Sequence, residues 1–220
     1  MKTMANGFIN LIPAKLKPLG KVAVFIDAAN MLYSQQTLGW KIDYKKLIAG
    51  LKKDFDLVFV GFYYGAIEKN SGQEKFFQML KDRGYTLRTK PVKYIKTPKG
   101  IIFKGNLDIE LVFDALTSKN KLPRSKLTRY SDVTSEEFVS LSHSSVQQAG
   151  RYSASRNKFD TIMLFSGDSD FEILLKHFRA EKKKVIVIST KKHISIELIK
   201  NCDKYINLKK LKELIERKPK

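Results

Sequence analysis

The chain reads as an α/β protein built on a mostly parallel sheet with helices on both faces. Two observations predict this. Val22–Asp27 is a continuous apolar run, the pattern of a strand buried on both sides. Further strand-like runs alternate with helix-like segments, and that βαβαβ order calls for a parallel sheet. A third observation locates the business end. Acidic residues fall where three strand or loop ends give way to helices: Asp27 and Asn30 in VAVFIDAAN, Asp108 and Asp114 in KGNLDIELVFDA, Asp168 and Asp170 in TIMLFSGDSDF. Such ends converge on one crevice, where open α/β folds bind ligands.

Taken in order, Val22–Asp27 is the first strand. Asp43 can cap a helix from Tyr44 to about Lys53, with Leu47, Ile48 and Leu51 on one face. Leu57–Tyr64 is the second strand. Ser71–Arg83 is a helix with Phe76, Phe77 and Leu80 inward, stopped by Gly84. Tyr85–Arg88 begins a third strand. Lys90–Lys104, with Pro91, Pro98 and Gly100 among five lysines, is a basic β-hairpin or loop. Leu107–Leu116 is a helix, Asp160–Phe165 the fourth strand, Ser169–Glu181 a helix and Lys184–Ser189 the fifth strand. Ile194–Lys200 is another helix, Lys204–Asn207 a short edge strand, and Leu208–Arg217 a basic terminal helix.

The domain layout follows. Residues 1–20 form an N-terminal arm, interrupted by Pro13 and Pro18, rather than a secretory signal. Residues 21–208 form the α/β domain, and 209–220 a basic C-terminal helix or tail. Lys119–Lys158, rich in Ser, Lys and Arg, is an insertion in which Glu136–Leu141 and Ser144–Arg151 have helical character. Loops of that length are functional or disordered, and both readings stay open.

Composition narrows the partners. In 220 residues, 42 Lys and Arg face 22 Asp and Glu, a formal charge of +20. A field that wide favours a long polyanion over small acidic metabolites. The single cysteine, Cys202, excludes an intrachain disulfide and a Cys-based zinc site, which suits a reducing cytoplasm. Apolar stretches such as Leu57–Tyr64 are too short to span a bilayer, so no membrane partner is expected.

A carboxylate pocket in a cationic chain points to a divalent metal at the centre and nucleic acid around it. Mg²⁺ or Mn²⁺ takes hard oxygen ligands and keeps waters, so a few Asp and an Asn suffice. Phosphodiester hydrolysis by metals needs carboxylates in a site open to substrate and water. Gly167 allows backbone to approach a ligand, and a following helix N-terminus favours anions. Any one Asp at a helix start is more often a cap than a ligand. Capping does not explain an acid ending a buried strand together with SGDSD after another. Asp114 lies on a different helical face from Asp108 and reads as supporting or structural. Glu172, one turn beyond Asp168, is a further candidate ligand.

At VFIDAAN, KGNLDIELVFDA and LFSGDSDFEILL, in that order, the chain resembles the NYN domains, LabA-like members of the PIN-like nuclease superfamily. KKVIVIS also fits. The resemblance covers about Val22–Leu116 and Asp160–Asn207. It implies a Rossmannoid, PIN-like three-layer α/β/α sandwich and a Mg²⁺- or Mn²⁺-dependent ribonuclease site. By position, Asp27, Asn30, Asp108 and Asp168 would form that site with Asp170 in support, and Asp27, Asp108 and Asp168 would hold metal. Two departures stand out: Asn106-Leu107 before Asp108 where the family has a single small apolar residue, and the long insertion.

Lys90, Lys93, Lys96 and Lys104 with Tyr94 form a basic, aromatic-bearing segment leading into Asp108, suited to a phosphate backbone and a stacked base or to an ordinary solvated hairpin. Tyr33, Trp40, Tyr63 and Tyr64 are expected mostly in the core. His143, His177 and His193 lack metal-ligand spacing. The expected function is a metal-dependent ribonuclease acting on RNA in the cytoplasm, with a homodimer as a candidate assembly. The alternative is a catalytically silent RNA-binding or regulatory module of the same fold. A phosphatase with Asp27 as nucleophile is disfavoured, because Ala29 stands where that chemistry needs a second Asp.

Overall fold

The computed structural model describes residues 7–67, 70–97, 100–117 and 159–218. Its centre is a six-stranded sheet. The strands are β1 (Lys21–Asp27), β2 (Asp56–Ala66), β3 (Thr86–Pro91), β6 (Thr161–Phe165), β7 (Lys184–Ser189) and β8 (Lys204–Asn207). They lie in the order β3-β2-β1-β6-β7-β8, and every pairing is parallel. β4 (Lys93–Thr97) and β5 (Gly100–Lys104) form a separate antiparallel hairpin, as the Pro and Gly punctuation predicts.

The helices are α1 (Ala28–Leu38), α2 (Tyr44–Asp54), α3 (Ser71–Asp82), α4 (Asp108–Thr117), α5 (Glu172–Ala180), α6 (Ile196–Lys200) and α7 (Lys212–Ile215). They cover both faces. Alternate strand residues Val24, Ile26, Phe62 and Phe165 face one core, shared with α2, α3 and α7. Phe25, Leu164 and Val187 face the other, shared with α4, α5 and α6. This is the expected three-layer α/β/α arrangement. Residues 7–20 run through two short 3-10 turns and place Phe8, Ile12 and Leu19 in the first core.

Local chemistry explains most boundaries. Asp43 caps α2 by accepting from the Lys45 and Lys46 N–H groups at 2.9 and 3.2 Å. Gly39, at φ 72°, ends α1 in the left-handed region open to glycine.

Three elements differ from the sequence reading. α1 was expected only as a helix start after Asp27, with no bounds, because its inward face is Ala28, Met31 and Ser34, too mixed to give a clear apolar stripe. The expected terminal helix is a 3-10 turn, Leu208–Leu211, followed by the short α7, anchored by buried Leu208, Leu211 and Ile215. The helix expected from Ile194 starts at Ile196, capped by Ser195, since the preceding loop packs against Gly167 instead. The insertion at 119–158, with its two helical pieces, lies outside the described residues.

The strand order positions the site. From β1 the chain moves outward to β2 and β3; from β6 it moves the other way to β7 and β8. The reversal between β1 and β6 is a topological switch point, which leaves a crevice beyond the carboxyl ends of those strands. No helix among the described residues is long and apolar enough to cross a membrane.

Candidate active site

Asp27 ends β1 at the switch point and caps α1. Its Oδ1 accepts from the Asn30 backbone N–H at 3.1 Å, and its Oδ2 accepts from the Ser166 hydroxyl at 2.9 Å. Burial pushes its carboxyl above the usual carboxylate range. The hydrogen bonds from Asn30 and Ser166 oppose that push, and the Asp168 charge adds to it.

On the next strand, Phe165 pairs with Ile26 and the chain turns through Ser166-Gly167-Asp168. Asp168 caps a 3-10 turn, Ser169–Phe171, by accepting from the Asp170 N–H at 3.1 Å. Ser166 is buried and accepts from the Asp168 N–H at 3.2 Å while donating to Asp27. One hydroxyl therefore fixes the spacing of two strand-end carboxylates. In the sequence the one signal of this role is its position directly before Gly167.

Gly167 has no room for a side chain. A Cβ there would overlap the His193 carbonyl oxygen and lie 2.7 Å from the Ser189 hydroxyl. The loop after β7 fills that space and donates the Ser195 N–H to the Gly167 carbonyl at 2.9 Å. Ser189 also reaches the Asn30 Oδ1 at 3.5 Å.

Asp108 starts α4 beyond the β4–β5 hairpin. Its N–H donates to Asn106 Oδ1 at 2.8 Å, and Leu107 is buried, so the unusual Asn106-Leu107 pair serves as a cap and an anchor. Burial, first of all, pushes the Asp108 carboxyl up to about 6. The charges of Asp27, Asp168 and Asp170 reinforce this and the Asn106 side chain opposes it. Carboxylate oxygens of Asp108, Asp168 and Asp170 all lie within 4.8 Å of one another.

A cleft of about 360 Å³ is lined by Asp27, Asn30, Tyr33, Gly65, Asp108 and Asp168 among others, and Asp170 adjoins it through Asp108 and Asp168. The expected acidic residues are thus brought together. Asp114 is not among them. It is buried, accepting from the Tyr63 hydroxyl at 3.0 Å and from Arg88 through Nε at 2.9 Å and Nη2 at 3.0 Å. Glu172 turns elsewhere, to Lys176 at 2.8 Å and Asn201 at 3.1 Å. Lys90 is engaged with Glu110 at 3.0 Å. For Lys93, Tyr94, Lys96 and Lys104 the structure describes the hairpin backbone only, and the side chains lie outside the description. Of the four aromatics expected in the core, Trp40 and Tyr63 are buried and Tyr64 is half-buried. Tyr33 is 58% exposed.

A parallel sheet with reversing strand order and carboxylates gathered over the reversal defines an open α/β domain of the PIN-like type with an acidic cleft. The sequence profile of the NYN domain matches residues 21–128 and 151–209, and the chain belongs to the NYN-domain family. It is similar to the low amplitude and bright protein LabA of Synechococcus elongatus, 29% identical over 201 residues that cover 90% of this chain and 88% of that one. The crystal structure of a protein of unknown function from Vibrio parahaemolyticus shares the fold, with a TM-score of 0.58 and 21% identity over 87% of this chain and 94% of that one.

Proposed function

We propose that the chain is a divalent-metal-dependent ribonuclease. The observation that carries this reading is the set of Asp108, Asp168 and Asp170 oxygens within 4.8 Å of one another, with Asp108 and Asp168 in a cleft that Asp27 also lines. Crowded carboxylates repel one another, and a cation between them relieves that repulsion. The donors are hard oxygens, with no thiolate or imidazole among them, which fits Mg²⁺ or Mn²⁺.

Asp108 and Asp168, with Asp27 beside them, are the residues to hold the ion, and Asp170 supports Asp168. A bound ion there supplies Lewis acidity toward a phosphodiester and a water of lowered pKa. The protein's own part is positional. Ser166 fixes Asp27 relative to Asp168, and Asn30 presents an amide over the cleft to orient a water or a phosphate oxygen. The basic hairpin, through Lys93, Tyr94, Lys96 and Lys104, is the candidate RNA surface, with Lys90 at its base. RNA is the proposed partner, in the cytoplasm.

The test is cleavage of a labelled single-stranded RNA in Mg²⁺ or Mn²⁺, with EDTA and Asp168→Asn as controls. Metal-dependent cutting that the substitution abolishes is the expected result. A charge of +20 exceeds what such a site needs and favours a second reading, an RNA-binding module that does not cut. RNA bound intact under every divalent ion would establish that reading over the first.

A further inference from the structure

We propose that Tyr33 is a stacking platform for an unpaired nucleobase beside the acidic cleft. This rests on RNA being the ligand of the cleft, but not on its being cut. Tyr64, half-buried, packs its ring on Phe62, Phe76 and Phe77. Trp40 and Tyr63 are in the cores. Tyr33 has no such role. It leaves more than half of its surface in water, and its ring stacks on no other aromatic among the described residues. An exposed ring at 58% gives up most of the stabilisation that burial would bring.

Its place is specific. Tyr33 lies one turn beyond Asn30 on α1, so the two side chains project from one helical face, and both line the cleft with Asp27 and Asp168. The cleft they line, about 360 Å³, offers room for a planar group beside the ring.

The platform is also held rigidly. Asp27 caps α1 at its start. Further along, Thr37 Oγ1 lies 2.6 Å from His193 Nε2, and Ser34 Oγ lies 3.5 Å from Thr190 Oγ1. These tie the helix to the same loop that packs on Gly167. A tyrosine needs only two side-chain torsions fixed to stack. Every base offers a π-face, so this contact recognises single-strandedness rather than sequence.

The experiment compares two single-stranded oligoribonucleotides of equal length and charge, one of uridines and one abasic throughout. Binding of each to the full-length protein is measured by fluorescence anisotropy in Mg²⁺, with cleavage-resistant phosphorothioate backbones. Wild-type protein should prefer the uridine strand. Tyr33→Ala should weaken binding of that strand roughly 5- to 100-fold and leave the abasic strand unchanged. Tyr33→Trp should restore the preference, and all variants should melt like wild type because the side chain is exposed. Three outcomes would overturn the proposal: equal loss on both strands, no loss on either, or no binding of single-stranded RNA by wild type. Selective loss in a protein that never cuts RNA would uphold Tyr33 and reject the nuclease.

Discussion

Asp108 and Asp114 ride the same helix, six residues apart, in opposite electrostatic circumstances. Asp114 is buried and paired with Arg88 in a two-pronged contact, and the Tyr63 hydroxyl completes its shell. The charge it contacts is opposite. Asp108 is half-exposed at the first turn and surrounded by Asp27, Asp168 and Asp170. The helix N-terminus favours its charge, yet burial and like-charged neighbours still push its carboxyl up to about 6. One carboxylate is arranged to hold the fold together. The other is held where burial and like charge work against it, the arrangement the proposed metal site calls for.

The largest effect that tests this contrast is on cleavage. Asp27→Asn keeps an oxygen to cap α1, so the protein should fold, while cleavage falls by more than about 100-fold. Asp108→Asn should behave alike. Circular dichroism alongside the RNA assay separates the two readouts, and retained cleavage in either variant would remove that residue from the site. Next in size is Asp114→Ala. It strands the Arg88 guanidinium and the Tyr63 hydroxyl and should cost about 3 kcal/mol, measured by urea unfolding. Near-native stability in that variant would erase the distinction between the two aspartates.

Much of this was legible in the sequence, for physical reasons. Val22–Asp27 declares a buried parallel strand because both of its faces are apolar, and the acids at its end and after Phe165 declare the crevice. Even the different roles of Asp108 and Asp114 follow from six residues on a 3.6-residue helix. What stayed hidden depends on contacts between distant segments. Lys90 reaches Glu110, and Ser166 spans Asp27 and Asp168, only once the strands are in register. The extent of helix α1 hid because its buried face mixes Ala28, Met31 and Ser34. Tyr33 was read as core because an aromatic in such a segment looks the same whether it points inward or out.

The smallest effect is the most diagnostic for Asp108, because its sign is opposite to that of Asp114. An unfolded Asp titrates near 3.9, and folded Asp108 at about 6. Between those values the folded state binds more protons than the unfolded one, so the stability this group contributes is present below about pH 4. It is lost as pH rises through 6. Asp108→Asn removes the penalty. In EDTA at pH 7.5 it should therefore be more stable than wild type, by about 1 kcal/mol once solvent screening of a half-exposed group is allowed for. At pH 4 the two proteins should unfold alike. Adding Mg²⁺ should stabilise wild type more than the variant, closing or reversing the gap, because the substitution removes one of the carboxylates that would hold the cation. A variant less stable than wild type at pH 7.5 in EDTA would place Asp108 with Asp114, as a carboxylate the fold depends on.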